Sequence, residues 1–392
     1  MSSLGAIDAL SAVVTADCNL RCSYCYQDRK QPLHMSWPTL SAAIDLLLDS
    51  RRRRVSLSFL GGEPLLDFPL IARAVAHARR RLPPHRRLRF FLTTNGTLLT
   101  DRRLAFLARH RVNVQLSFDG VPQAQDLRAP GSFNRLDGLI DRMKSRHRGF
   151  FRRRVTIAVT VAANTIPHLA NSFEYLLTKG VSQIAISAAM GQGRLSTAGV
   201  GKLDRQFQRI FTLSVRHYRA TGEVPLSLFQ KQAQDSLEPS DGEWACSAAV
   251  GNALVVDVDG RVYPCAMLIR SCQRVARPPL ARRLAAMSLG YVTEPQVLAD
   301  RLEALPGVAR AVRIFGRQDR KRSSDSRCAT CRFVGACLIC PITCAKNPDS
   351  TDPNRIPDYQ CAFNRVAFKY RRRFPCQPQP TAHAKRPPAS AS

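Results

Sequence analysis

Short apolar runs rich in β-branched and aromatic residues alternate with amphipathic stretches through the first half of the chain. Six runs predict strands: LSAVVTA at 10–16, VSLSFL at 55–60, LRFFLTTN at 88–95, NVQLSF at 113–118, VTIAVTV at 155–161 and QIAISAA at 183–189. Between them lie segments such as TLSAAIDLLLDS and PLIARAVAHARRRL, apolar at helical spacing. Apolar strands separated by helices predict parallel βα units. Six of them predict an α/β fold, a partial (β/α)6 TIM-like barrel whose chemistry sits where strands end and loops begin. Residues 200–235 read as helix and connector. Beyond residue 245 long periodic segments become few and ten of the 13 cysteines appear. That change predicts a second, metal-organised domain. Within it, 267–327 is Arg-rich and reads as a surface excursion, and 369–392 reads as a disordered basic tail.

Composition narrows the classes. Lysine and arginine number 59 against 29 acidic residues, a formal charge of +30. Runs such as RRRRV and ARRRLPPHRRLR are spread along the chain without interleaved aromatic residues, so no nucleic-acid partner is expected. No apolar stretch approaches the roughly 20 residues that cross a bilayer. The start MSSLGAIDALSAVV does not read as a signal peptide. Together these predict a cytoplasmic protein without a membrane partner, where thiols stay reduced. An odd count of cysteines in such a chain points to metal rather than disulfides.

The stretch DCNLRCSYCYQD, 17–28, carries Cys18, Cys22 and Cys25 after the first predicted strand. Four thiolates would close a zinc site or saturate a four-iron cluster. Three leave one corner open, or borrow a distant His or Cys to complete a zinc site. Motifs then follow successive strands. Gly61-Gly62-Glu63-Pro64 ends the second; its glycines allow close backbone approach to a ligand, and Glu63 can accept from an ammonium. Asn95-Gly96 ends the third, and Ser117, Asp119 and Gly120 end the fourth. Each alone is an ordinary loop signal.

In this order, the motifs of residues 8–190 resemble radical S-adenosylmethionine (radical SAM) enzymes. The resemblance implies a [4Fe–4S] cluster on Cys18, Cys22 and Cys25, whose open iron chelates the amino and carboxylate groups of SAM. Reductive cleavage then gives a 5′-deoxyadenosyl radical, with the reducing electron from a flavodoxin- or ferredoxin-type donor. It also implies that Gly61, Gly62, Glu63 and Pro64 contact the methionine amino group. Asn95 would line the SAM site, Ser117 and Arg128 would touch the carboxylate or ribose, and Tyr26 would lie beside the adenine.

Downstream, Cys246-x13-Gly260-x4-Cys265, then CATCRFVGACLICPITC, then Cys361 resemble the SPASM domain of peptide-modifying radical SAM enzymes. The resemblance implies an iron–sulfur-organised domain over 236–368 behind a core barrel and connector over 1–235. Cys328, Cys331, Cys337 and Cys361 would hold one auxiliary [4Fe–4S] cluster. Cys246, Cys265 and either Cys340 or Cys344 would hold another; the spacing departs from the usual pattern there and leaves both open. The implied function is maturation of a ribosomally made precursor peptide or protein by crosslinking or oxidation. An alternative is the anaerobic sulfatase-maturing activity, which makes formylglycine. There an aspartate follows the second SPASM cysteine as the base, whereas Ala266 stands here. A basic zinc or nucleic-acid-binding protein is the non-enzymatic rival. Asp257 and Asp259 in VDVDG read as turn residues, so the catalytic base is unassigned.

Overall fold

The computed structural model describes residues 3–27, 29–230, 251–271, 282, 285–311, 328, 330–333, 337, 340, 343–344 and 355–375. Six strands form where the pattern predicts them: β1 (Ala9–Thr15), β2 (Arg54–Gly61), β3 (Arg87–Thr94), β4 (Asn113–Ser117), β5 (Val155–Val161) and β6 (Ile184–Ala188). Helices α1 (Trp37–Leu48), α2 (Phe68–Arg81) and α3 (Asp101–Arg109) separate the first four strands. Helices α4 (Pro122–Arg128), α5 (Phe133–Arg146) and α6 (Arg148–Arg154) lead from β4 to β5, and α7 (Leu169–Thr178) joins β5 to β6. Local chemistry sets the boundaries. Ser36 caps α1 by accepting from the Thr39 N–H. The long α8 (Thr197–Thr221) starts on the Ser196 hydroxyl and stops at Gly222, which takes the left-handed conformation that ends helices.

All six strands pair in parallel in the order β6-β5-β4-β3-β2-β1. They are not apolar throughout. Leu57 and Phe59, Val114 and Leu116, and Ile157, Val159 and Val161 face the helices and are buried. The residues between them face the concave side and are small or polar: Ser56 and Ser58, Gln115 and Ser117, Thr156 and Thr160. A period of two therefore lies under the βα pattern, and the sheet encloses an open polar lumen rather than a filled core.

The second half of the chain extends this sheet. Strand β7 (Ala253–Val256) pairs in parallel with β1, and β8 (Val262–Tyr263) turns back antiparallel on β7. The turn uses Gly260 at φ +86°, with Asp257 buried beneath it and accepting from the Ser271 hydroxyl and the N–H groups of Arg270 and Ser271. Asp257 thus anchors a turn. The stretch 267–327, expected as a surface excursion, instead sends Met287, Leu289, Val292, Leu298, Leu302 and Leu305 into the core. The last three lie on α9 (Pro295–Ala311). Helix α10 (Asp358–Arg371) packs Phe363 and Tyr370 on Phe207 of α8. Its Tyr359 donates a 2.7 Å hydrogen bond to the Val161 carbonyl at the end of β5. The tail expected as disordered from residue 369 starts inside this helix instead: Lys369 pairs with Asp204 of α8 and Phe374 stacks on Phe229, and only residues 376–392 lie outside the described residues. Among the described residues no helix is long and apolar enough to cross a membrane.

Candidate functional site

The loop after β1 lies across the C-terminal ends of β2, β3 and β4. Thr15 starts it, its hydroxyl accepting from the Asp17 N–H, while the Asp17 carboxylate accepts from the Cys18 N–H at 2.7 Å. Cys22 and Cys25 close one turn through a 3.1 Å backbone bond. Asn19 ties the loop sideways, donating to Thr97 and accepting from the Asn95 amide, both at 2.9 Å. Asn95, a sequence-expected site residue, therefore positions the loop.

The loop lies close enough that β2 must end in glycine. A Cβ on Gly61 would stand 2.1 Å from the Thr15 carbonyl oxygen, and one on Gly62 would stand 2.0 Å from that of Asp17 and 2.9 Å from the Cys18 Cβ. The close approach these glycines permit is thus to the cysteine loop's own backbone. The N–H groups of Gly62 and Glu63 bond the carbonyls of Thr15 and Asp17. Pro64 begins a short 3-10 turn behind them. Glu63 is fully buried, and its carboxylate accepts from the Leu65 N–H, the Thr94 hydroxyl and the Asn95 N–H. Burial raises its pKa and these hydrogen bonds oppose the rise.

The three loop thiols are electrostatic neighbours. Burial raises the pKa of Cys18, opposed by the Leu20 N–H and by Lys30, with Glu63 and Cys25 adding to the rise. Burial likewise raises Cys22, opposed by Arg128, while Cys25 and Cys18 push it further up. Among the described residues no three His, Cys, Asp or Glu side chains are gathered as ligands of a single metal ion. Three neighbouring thiols on one loop, beside Lys30 and Arg128, fit the donor set of a four-iron cluster that several negative thiolates must share. Lys30 donates to the Leu20 carbonyl inside the same loop.

Arg128 holds the loop from the barrel side. Its Nε and Nη2 donate to the two Asp119 carboxylate oxygens at 2.9 and 2.7 Å, and Nη2 also reaches Thr160 at 3.2 Å. Both partners are buried. Burial alone would lower the Arg128 pKa, yet Asp119 holds it above its ordinary value. Tyr24, two residues beyond Cys22, donates its hydroxyl to the same carboxylate, and the guanidinium lies 5.4 Å from its ring centroid. Tyr24 packs against Ala162 and Ala189 at the ends of β5 and β6. Arg128 is thus committed to Asp119 and Thr160 in this structure, while Ser117 stands half-buried at the end of β4 and Tyr26 is exposed. The pairing of Tyr24 with Asp119 has no counterpart in the sequence pattern. Tyr24 sits between two cysteines, and nothing local signals a partner 95 residues away.

The C-terminal cysteines fall into groups. Cys328 and Cys344 are buried together with Ile356, and Cys337 and Cys361 pack on them. Cys331 and Cys337 flank Phe333 and Phe368. Cys265 and Cys340 lie against the main core instead. A 3.1 Å bond from the Cys344 N–H to the Cys340 carbonyl sets these two one helical turn apart. Cys246 lies outside the described residues. No disulfide joins the ten described cysteines.

Residues 12–167 match the profile of the radical SAM superfamily. The serine-type anaerobic sulfatase-maturating enzyme of Klebsiella aerogenes is 25% identical over 354 residues, covering 86% of this chain and 80% of its own length. Among solved structures, the fold is similar to native anSMEcpe with bound AdoMet and Kp18Cys peptide. That match has a TM-score of 0.68 at 19% identity and covers 92% of this chain and 96% of that one. Streptococcus suis SuiB bound to precursor peptide SuiA matches with a TM-score of 0.56 at 15% identity, over 91% and 76%. The cysteine-rich second half is consistent with a SPASM domain.

Proposed function

We propose that this chain, which belongs to the radical SAM superfamily and works with S-adenosylmethionine and a [4Fe–4S] cluster, modifies a side chain of a peptide or protein by crosslinking or oxidation. The carrying observation is the concave face of the sheet. It opens directly below the Cys18–Cys25 loop and presents hydroxyl and amide side chains, groups that hydrogen-bond an extended peptide backbone. The cofactors, once bound, supply the radical; the chain's part is to hold the loop, orient the substrate and exclude water. Cys18, Cys22 and Cys25 hold the cluster, and Gly61, Gly62, Glu63, Pro64, Asn95, Ser117, Arg128 and Tyr26 form the surrounding SAM site. Cys328, Cys331, Cys337 and Cys361 form one auxiliary ligand set. Cys340 rather than Cys344 joins Cys246 and Cys265 in the other, because Cys344 is packed against Cys328. The reading places the protein in the cytoplasm with a flavodoxin- or ferredoxin-type donor.

A second reading, sulfatase maturation, draws on the Klebsiella aerogenes relative, which aligns over most of this chain. Ala266, where that activity's base is expected, counts against it. Anaerobic incubation with SAM and dithionite separates the two, using the Kp18Cys peptide in one arm and short peptides encoded beside the gene in the other. Mass spectrometry is expected to find a neighbouring peptide with hydrogens lost and the Kp18Cys cysteine unchanged. An aldehyde at that cysteine would establish sulfatase maturation instead. 5′-Deoxyadenosine release indifferent to every peptide, with no peptide altered, would rule out both.

A further inference from the structure

The lumen does not end at the cysteine loop. Its lower part forms a cavity of about 350 Å³, within the size range of small-ligand sites. Ser11, Ser58, Asn113, Gln115, Thr156 and Arg154 line it. Its upper layer pairs Thr93 with Gln115 and Gln115 with Thr156, two residues below Asn95 and Ser117. At the strand rise this is about 7 Å beneath the site layer. The side-chain amides and hydroxyls there are uncharged, and Thr156 donates to Gln183 at 3.0 Å.

The floor is different. Arg154, the last residue of α6, is partly buried there, and its hydrogen-bond partner among the described residues is a neutral oxygen, Asn113 Oδ1 at 3.2 Å. Burial, then the repulsion of Arg111, Arg153 and Arg89, lowers its pKa. Arg89 shares the concave face of β3 with Phe91 and Thr93 by the alternation of the strand and is exposed outside the cavity lining. Arg111 has φ +53°, the one non-glycine residue with positive φ among the described residues. It ends α3 through 3.1 and 2.9 Å bonds from Arg111 to Ala108 and from Val112 to Leu107. Glycine is the residue that fits this left-handed position without strain. Arg111 is exposed at this position, and a glycine there would remove its charge without straining the turn.

We propose that the N-terminal mouth of the lumen is a binding site for an oxyanion group, a carboxylate or a phosphate. Arg154 contacts the anion, and Arg89 and Arg111 supply the surrounding positive field. Asn113, Gln115 and Thr156 hydrogen-bond the rest of the ligand as it rises toward Ser117. Arginine's planar fork suits both oxyanions. The site fixes which end of a substrate points away from the chemistry, and it stands whether or not the substrate is a peptide.

Calorimetric titration of the anaerobically reconstituted full chain tests it, with inorganic phosphate in one arm and N-acetylglutamate amide in the other. N-acetylglutamine amide serves as the neutral control. Saturable binding of at least one anion is expected, weakened about tenfold by Arg154→Gln. Binding of phosphate alone would identify a free oxyanion as the ligand, and binding of the glutamate derivative a peptide-borne carboxylate. Arg111→Gly is expected to weaken binding several-fold while its melting temperature holds or rises, which separates lost charge from lost fold. Arg219→Gln, on the exposed face of α8, is expected to change nothing. Absence of saturable binding, unchanged affinity in Arg154→Gln and Arg111→Gly, or an equal loss in Arg219→Gln would overturn the proposal.

Discussion

Asp119→Ala is expected to be the most destabilising single substitution near the cysteine loop, by about 3–5 kcal/mol. The carboxylate is buried and accepts from Arg128, from Tyr24 and from the Thr160 N–H. Its removal leaves the Arg128 guanidinium charged and nearly enclosed, which costs far more than the pair itself contributes. The signature is non-additivity. In the double variant Asp119→Ala/Arg128→Met the orphaned charge is gone, so denaturant unfolding is expected to show a markedly smaller loss than in Asp119→Ala alone. Equal losses would mean that the pair is not the element holding this end of β4. Because Tyr24 hangs from the same carboxylate between Cys22 and Cys25, Asp119→Ala is also expected to loosen iron at the loop, read as iron per chain after reconstitution.

Gly62→Ala acts on the same loop by sterics alone. The added methyl would meet the Asp17 carbonyl oxygen at 2.0 Å and its carbon at 2.5 Å, both backbone atoms that cannot swing aside. The loop must therefore lift from the end of β2, breaking the bonds that Gly62 and Glu63 make to Thr15 and Asp17. Loss of the loop cluster, about four irons per chain, is the expected result. Any irons held by the C-terminal cysteines should remain, since the atoms nearest the added methyl belong to Asp17 and Cys18 of the loop itself. Gly138→Ala in α5 is the control: its Cβ meets only the Arg142 side chain, at 3.6 Å, and alanine favours a helix. Full iron content in Gly62→Ala would show that the loop is not seated as described.

How much of this was legible in the chain depends on the range of the signal. The six strands and the helices between them are local patterns, and each strand formed within a residue or two of its expected place. The alternation inside VSLSFL and VTIAVTV was equally local, yet it is masked by the βα pattern, which makes such runs look apolar throughout. Its consequence, a polar lumen, emerges only when strands are aligned by register. The glycine motif was visible, but the partner it accommodates, the loop's own backbone at Asp17, was not. The burial of Met287, Leu289, Val292, Leu298, Leu302 and Leu305 was hidden because arginines around a few spaced apolar residues look like surface until β7 and β8 place them against the core. The Tyr24–Asp119–Arg128 contact joins residues from the first and fourth βα units, and long-range polar pairing leaves no trace in spacing.

The central claim is that the loop of Cys18, Cys22 and Cys25 seats a cluster that cleaves SAM. It is tested most directly by 5′-deoxyadenosine release from SAM under dithionite, comparing the reconstituted protein with its Cys22→Ala variant under strict anaerobiosis. The account predicts steady release from the unaltered protein and none above the buffer blank from Cys22→Ala, while the variant keeps iron at its C-terminal cysteines. Release from Cys22→Ala at the unaltered rate, or zinc in place of iron in the unaltered protein, would contradict it.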